Sequence, residues 1–189
     1  MSQITTITEL QSALADGKTT AVATVRRCLS RIHALSHELH TFISVHEENA
    51  IQEAVQMDTA RASNSAPGPL CGVPLAIKDL IDVRGMRTTA ASRVLENEPP
   101  ATADAECIRR LRSAGAIVIG KTNLHEFAYG GSGVISTYGP TRNPWNLSRI
   151  TGGSSSGSAA AVAAHWAYNA ALGLGRTGTT PVEIKIASR

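Results

Sequence analysis

Two short apolar runs on either side of a helical segment constrain the fold more than any other feature of this sequence. Residues 73–77 and 116–119 have the length and apolar character of buried strands. Between them, residues 103–114 predict a helix, with Thr102 as its N-cap and Ile108 within its buried stripe. Because two strands joined by a helical crossover pair in parallel, the pattern predicts an α/β protein.

The rest of the chain divides into a helical first third and a long loop. Apolar spacing predicts helices over residues 6–14, 20–34 and 48–62, with a short strand at 42–45. Residues 129–157 are rich in Gly, Ser, Pro and Asn. A loop of that length in a compact domain is usually functional or disordered.

Composition excludes several classes of protein. The hydrophobic content of 42% and the charged content of 17% are ordinary for a globular protein in water. The net charge is +3, of which Arg176, Lys185 and Arg189 against Glu183 contribute +2, so about +1 is left for the rest of the chain. We therefore expect a solvated surface and no nucleic-acid-binding face.

The cysteines and the lengths of the apolar runs indicate the cellular compartment that the sequence favours. Cys28, Cys71 and Cys107 are widely spaced and include no CxxC pair, which argues against a disulfide framework and a thiolate metal site. This usage fits a reducing cytoplasm. No apolar run approaches the roughly 18–20 residues that span a bilayer, so no membrane association is expected.

A glycine–serine segment, residues 151–158, runs directly into an alanine-rich stretch, residues 159–164. Such a loop opening a helix exposes backbone N–H groups at the positive helix end, where negative charge is stabilised. The predicted anion or oxyanion loop consists of Gly152, Gly153, Ser155, Ser156 and Gly157. The alternative is a flexible linker, but the small residues that follow favour close packing.

Two common motifs do not account for this segment. A phosphate-binding P-loop requires Lys after its second glycine, and here Gly157 is followed by Ser158. The pattern G-x-S-x-G is present, with Ser155 in the nucleophile position. That motif follows a core strand, which residues 145–151 do not resemble, and the acid and histidine that should follow it occur only in the wrong order, as His165 and then Glu183.

Lys78 is a second candidate because it ends the first apolar strand. Burial disfavours the charged ammonium and lowers the pKa of a lysine, which makes the neutral amine a usable general base. The alternative is a surface lysine paired with Asp79. The presence of the glycine–serine loop in the same chain favours the catalytic interpretation.

The pairing of Gly-Val-Pro-Leu-Ala-Ile-Lys-Asp at residues 72–79 with the glycine–serine loop and the alanine-rich stretch resembles the amidase signature family. Residues 120–128 and 138–145 also look familial, and the resemblance covers roughly residues 5–173. It implies a mixed β-sheet covered by helices and a serine hydrolase acting on carboxamides. His125 falls where an acidic residue is common, and no role is assigned to it beyond that of a solvated or core histidine.

The resemblance also implies site residues. Lys78 falls on the catalytic lysine, and Ser154 falls on a bridging serine beside a cis peptide bond. In the family these two relay a proton from a nucleophilic serine further along the chain, and an acyl-enzyme forms and hydrolyses. No metal or organic cofactor is implied. The implied partner is a small carboxamide substrate, joined by amidotransferase partner subunits if the chain is an amidotransferase subunit.

The resemblance breaks after residues 171–173, where the family continues with a Thr/Ser-Asp-Thr-Gly-Gly-Ser type of segment. No serine occurs between Ser158 and Ser188. If the alignment with the family is anchored at residues 171–173, Thr179 falls on the nucleophile position, and if it is anchored at Ser154, Gly178 falls there. A threonine is a poor replacement, because its extra methyl group crowds the attack on the substrate.

Residues 1–173 are accordingly predicted to be the amino-terminal portion of an amidase-signature domain. Residues 174–189 are predicted to be a divergent tail produced by truncation or frameshift, and the chain is expected to be inactive. Two alternatives stay open. One is a non-catalytic fragment or interaction protein, and the other is the A subunit of a tRNA-dependent amidotransferase, the only interpretation that involves nucleic acid.

Overall fold

The computed structural model describes residues 6–164 and 171–172. Its first third is helical, as predicted, with a short strand in the expected place. The elements are α1 (Ile7–Ala15), α2 (Ala21–Leu39), β1 (Phe42–Val45) and α3 (Glu47–Ala62). Helix α1 begins with a capping box, in which the Thr6 side chain accepts from the Glu9 N–H at 3.1 Å and the Glu9 carboxylate accepts from the Thr6 N–H at 3.0 Å.

The two apolar runs form the centre of a four-stranded sheet. Strand β2 (Pro74–Lys78) pairs in parallel with β3 (Ile117–Thr122), and every residue of both strands is buried. In the described part of the chain the strand order is β1-β3-β2-β6, where β6 is Ala171–Leu172. Because β1 runs antiparallel to β3 and β6 runs parallel to β2, the sheet is mixed, and the α/β prediction is confirmed.

The crossover helix α4 (Glu106–Ser113) begins later than predicted. Thr102 is not its N-cap: that position is taken by Ala105, which offers no side-chain cap. The reason lies in the preceding loop, where the Asp104 carboxylate accepts from the Arg84 N–H at 2.7 Å and the Ala105 N–H donates to the Asp82 carbonyl at 3.0 Å. These contacts hold the chain in a non-helical path up to residue 105.

The long loop contains a small hairpin that the sequence did not predict. Strands β4 (Arg142–Asn143) and β5 (Asn146–Ile150) pair antiparallel, and β5 is exposed along its whole length. The sequence indicated that residues 145–151 form no core strand, and the exposure of β5 agrees with this. Helix α5 (Ser156–Ala163) follows and confirms the predicted alanine-rich helix.

The core lies between the helices and the sheet. Its fully buried members include Leu10, Val25, Ala50, Ile108 and Ala161 from the helices and Leu75, Ile77, Ile117 and Ile119 from the strands. The three cysteines are free thiols, and burial raises the pKa of Cys28 to about 12. None of the helices in residues 6–164 is long and apolar enough to cross a bilayer.

Candidate functional site

The carboxyl ends of β2 and β3 meet at one edge of the sheet, and helix α5 begins at that edge. Lys78, the last residue of β2, is in register with Thr122, the last residue of β3. The hydroxyl of Ser158 in α5 lies 2.9 Å from the hydroxyl of Thr122. This edge of parallel strands is where α/β proteins commonly place their sites, and here it brings the lysine and the glycine–serine loop together.

Lys78 and Ser154 are in direct contact. The Nζ atom of Lys78 donates to the Oγ atom of Ser154 at 2.8 Å, although the two residues lie 76 positions apart in the chain. The Lys78 side chain is fully buried and Ser154 is half-buried. The predicted burial of Lys78 and its contact with Ser154 are therefore present. The peptide bond between Gly153 and Ser154 is cis.

Burial gives Lys78 an unusual acidity. Desolvation lowers the pKa of its amine from 10.5 to about 8, because the buried site disfavours the charged ammonium. At neutral pH a neutral fraction of about a tenth follows from that pKa. The amine can therefore accept a proton in a range where an ordinary lysine cannot.

Asp79 forms its ion pair with Lys121, which corrects the alternative interpretation in which Asp79 pairs with Lys78. The Asp79 Oδ1 atom lies 2.7 Å from the Lys121 Nζ atom, and both side chains are fully buried. The other carboxylate oxygen accepts from the N–H of Thr89 at 2.9 Å and from its hydroxyl at 2.5 Å. Burial lowers the pKa of Lys121 despite the opposing charge of Asp79.

The glycine–serine loop exposes backbone donors next to the contact. In the described part of the chain, the N–H groups of residues 152–156 donate to no acceptor. Ser155 occupies the N-cap position of α5 without a side-chain capping bond. These donors stand at the positive end of the helix, where they can stabilise a developing negative charge.

Gly157 differs from the other residues of the predicted anion loop. Its N–H donates to the Asn123 carbonyl at 2.9 Å and is not available to an anion. A Cβ atom at this position would lie 2.5 Å from the Asn123 nitrogen and 2.6 Å from the Asn123 oxygen. Gly157 therefore allows helix α5 to approach the end of β3, and its assignment as an anion-binding donor is corrected to a packing role.

Residues 125–141 hold the glycine–serine loop in place. The His125 N–H donates to the Ser154 carbonyl at 2.9 Å. The Ser156 hydroxyl donates to the Thr141 hydroxyl at 3.1 Å, and the Thr151 hydroxyl donates to the Thr141 carbonyl at 2.9 Å. The His125 side chain is buried, and its Nδ1 atom accepts from the Gly133 N–H at 3.3 Å, which makes it a core histidine.

Asn123 is a positioning residue that the sequence reasoning missed. Its side-chain Nδ2 atom donates to the carbonyls of His40 and Gly139, both at 2.9 Å. Its Oδ1 atom accepts from the Leu124 N–H at 2.8 Å and from the Ser136 hydroxyl at 2.7 Å. Asn123 thus ties two segments, at His40 and at residues 136–139, to the end of β3, and its carbonyl accepts from Gly157 at the start of α5. The signal that could have found it is its place within residues 120–128, one of the stretches that look familial.

A cavity of about 540 Å³ is lined in part by His125, the residue whose N–H donates to the Ser154 carbonyl. Its other lining residues are Glu126, Phe127, Tyr129 and Ile135. Among residues 6–164, no group of three or more His, Cys, Asp or Glu side chains is arranged to hold a metal ion. The candidate nucleophile Thr179 and the tail at 174–189 lie outside the described residues.

Comparison with known proteins gives one family. Residues 23–175 match the family model described as amidase. Similar curated proteins include the A subunits of glutamyl-tRNA(Gln) amidotransferase from Salinispora tropica, 45% identical over 157 residues, and from Thermobifida fusca, 48% identical over 157 residues. The alignments cover 83% and 82% of this chain but only 32% and 31% of those proteins. The chain thus spans about a third of the length of these relatives.

Solved structures similar to this chain include an enzyme of the same kind. The native peptide amidase of Stenotrophomonas maltophilia is 40% identical and superposes with a TM-score of 0.83. That match covers 89% of this chain and 36% of the peptide amidase.

Proposed function

The chain belongs to the amidase family, and we propose that it carries out amidase-type hydrolysis of the carbon–nitrogen bond of a carboxamide. The observation that carries the proposal is the contact of 2.8 Å between the Lys78 amine and the Ser154 hydroxyl, together with the pKa of about 8 that burial gives Lys78. A buried amine next to a serine hydroxyl is a general base for acyl transfer that needs no histidine.

In this proposal Lys78 and Ser154 handle the proton. The neutral amine of Lys78 accepts the proton of the Ser154 hydroxyl, and Ser154 in turn can accept one from a nucleophile. The ammonium of Lys78 later returns the proton toward the leaving amine. The N–H group of Ser155, which donates to no acceptor among the described residues, would stabilise the oxyanion of the tetrahedral intermediate.

The missing serine limits the expected rate. The sequence has no serine between Ser158 and Ser188, and Thr179 is the only residue there proposed as a replacement nucleophile. Because removal of one member of a catalytic triad costs several orders of magnitude in rate, turnover of amides should be slow.

The proposal is tested by measuring ammonia release from small neutral carboxamides at pH 8 with the purified chain. Lys78→Ala and Ser154→Ala should each reduce the release to the uncatalysed rate. Matched controls are Lys18→Ala, which removes an exposed lysine, and Ser148→Ala, which removes an exposed serine of β5. Both controls should leave the rate unchanged.

Two outcomes would contradict the proposal. Release that persists in Lys78→Ala and Ser154→Ala would place the chemistry elsewhere. The absence of any release by the unaltered chain would favour the non-catalytic interpretation. Loss of release in Thr179→Ala would identify the threonine as the nucleophile.

A second candidate function is that of an amidotransferase A-type subunit. The identity of 45% and 48% to A subunits of glutamyl-tRNA(Gln) amidotransferase favours it. In that case the amide nitrogen would be passed to an acceptor on tRNA with the help of partner subunits. Transfer of the amide nitrogen to glutamyl-tRNA(Gln), measured as new amide on the tRNA in the presence of such subunits, would support this function. Ammonia release that is independent of the subunits and the tRNA would argue for a free-standing amidase.

A further inference from the structure

We propose that Ser154 itself acts as a nucleophile in this chain and is acylated by activated esters, with Lys78 as its base. The inference goes beyond the proposed function, in which Ser154 passes a proton, and it makes Ser154 a catalytic residue that bonds to the substrate. It rests on three observations at one place: the contact between the two side chains, the lesser enclosure of the serine, and the backbone donor that follows it.

The contact has the geometry that a serine–lysine pair needs. The Lys78 Nζ atom and the Ser154 Oγ atom are 2.8 Å apart, within reach of direct proton transfer. The lysine is fully buried, so its amine can be neutral near pH 8, and a neutral amine accepts the hydroxyl proton through its lone pair. The carboxylate of Asp79, next in sequence, is held in its own ion pair with Lys121.

Ser154 is the less enclosed member of the pair. Lys78 is completely enclosed, whereas Ser154 is half-buried and Gly153 before it is exposed. A substrate would therefore approach the pair from the side of the glycine–serine loop. The carbonyl of Ser154 is fixed by the His125 N–H at 2.9 Å, so the backbone that presents the hydroxyl is held in one position.

A donor for the oxyanion follows immediately in the chain. The N–H group of Ser155, at the N-cap of α5, donates to no acceptor in residues 6–164 or 171–172, whereas Ser156 is fully buried. In G-x-S-x-G hydrolases, too, a backbone N–H directly after the nucleophile contributes to the oxyanion hole. This arrangement favours Ser154 over Ser155, for which the described residues give no base.

The reaction balances without any further reagent. The Ser154 Oγ atom bonds to the carbonyl carbon of the ester while its proton passes to the Lys78 amine. The tetrahedral intermediate then collapses, the bond to the leaving group breaks, and an alkoxide or phenolate departs with the electron pair. The Lys78 ammonium then loses its proton to bulk water, so the amine is neutral again. Water attacks the acyl-serine and passes a proton to Lys78. The second tetrahedral intermediate collapses with cleavage of the bond between the acyl carbon and the Ser154 Oγ atom, which takes the proton back from Lys78 as the carboxylic acid leaves.

The test uses 4-nitrophenyl acetate as the probe and the full chain as the protein. We expect a burst of 4-nitrophenolate approaching one equivalent, and peptide mapping by mass spectrometry should place the acetyl ester on Ser154. Lys78→Ala should slow acetylation of Ser154 by about a hundredfold or more, because general base catalysis contributes at least that much. Ser148→Ala should leave the burst unchanged.

Mapping on the unaltered chain keeps the test valid even if a variant folds poorly. An acetyl group found on Ser155 or Thr179, or equal acetylation of Ser154 and the exposed Ser148, would overturn the inference. The two proposals also fail separately. Acetylation of Ser154 without ammonia release from amides would support Ser154 as a nucleophile and refute the amidase function. Lys78-dependent ammonia release without acetyl-Ser154 would support the amidase function and refute Ser154 as a nucleophile.

Discussion

Replacement of Lys78 by Met should stabilise the folded chain at neutral pH and lose that advantage in alkali. Burial lowers the pKa of Lys78 from 10.5 to about 8, so keeping the ammonium at pH 7 destabilises the folded state. The difference between the two pKa values corresponds to roughly 3 kcal/mol in the free energy of unfolding. Loss of the hydrogen bond to Ser154 offsets about 1–2 kcal/mol of this gain at every pH.

The sign of the pH dependence follows from the direction of the shift. Below pH 8 the lysine is charged in both states, and the folded state carries the full cost of the buried charge. Between about pH 8 and 10.5 the unfolded chain binds a proton that the folded chain does not, so the unaltered protein gains stability as the pH rises. Above pH 10.5 the amine is neutral in both states and the cost is gone.

The assay is urea unfolding of the unaltered chain and of Lys78→Met, each at a series of pH values from 7 to 10.5. The quantity to follow is the difference between the two proteins, because the shifts of Lys121 and Cys28 are common to both and cancel. The stability of the variant relative to the unaltered chain should fall by roughly 3 kcal/mol across this range. A constant difference would refute the claim that Lys78 is a desolvated amine.

Two further substitutions test the packing around the site. Gly157→Ala places a Cβ atom 2.5 Å from the Asn123 nitrogen and should destabilise the chain by about 1–3 kcal/mol. The control is Gly131→Ala, whose Cβ atom meets no atom within 4 Å and should change the stability little. The midpoints of urea unfolding of the two variants compare them directly. Asp79→Asn leaves the buried ammonium of Lys121 without its counter-charge and should cost about 3–5 kcal/mol, while Asp16→Asn in an exposed pair should cost less than about 1 kcal/mol. Similar losses for Asp79→Asn and Asp16→Asn in thermal unfolding would contradict the buried ion pair.

Local pattern was enough to predict the elements that build the site. The apolar runs predicted β2 and β3, the crossover predicted their parallel pairing, and the alanine-rich stretch predicted α5. Once two strands are parallel, their carboxyl ends share an edge, so the position of Lys78 followed from the pairing. The contact with Ser154 was not contained in any local pattern and was expected only from the family resemblance.

The errors arose where a partner distant in sequence decided the outcome. Thr102 was predicted to cap the crossover helix, but the Asp104 carboxylate accepts from the Arg84 N–H and keeps the chain non-helical up to Ala105. Gly157 looked like a free donor, but its N–H is bound by the Asn123 carbonyl.

Asp79 shows the same effect for charge. Its neighbour in sequence is Lys78, yet it pairs with Lys121 from the adjacent strand. Successive residues of a strand point to opposite faces, whereas residues on neighbouring strands can meet, so adjacency in sequence was a poor guide to the ion pair.

The most direct test of the account is an NMR titration of the lysine side chains in the chain labelled with ¹³C at lysine Cε, with Lys78→Met to assign the Lys78 signal. This one signal should titrate with a midpoint near pH 8, well below the reference value of about 10.4 for a lysine in water. A Lys78 midpoint at the ordinary value would contradict the claim that this residue serves as the base for Ser154.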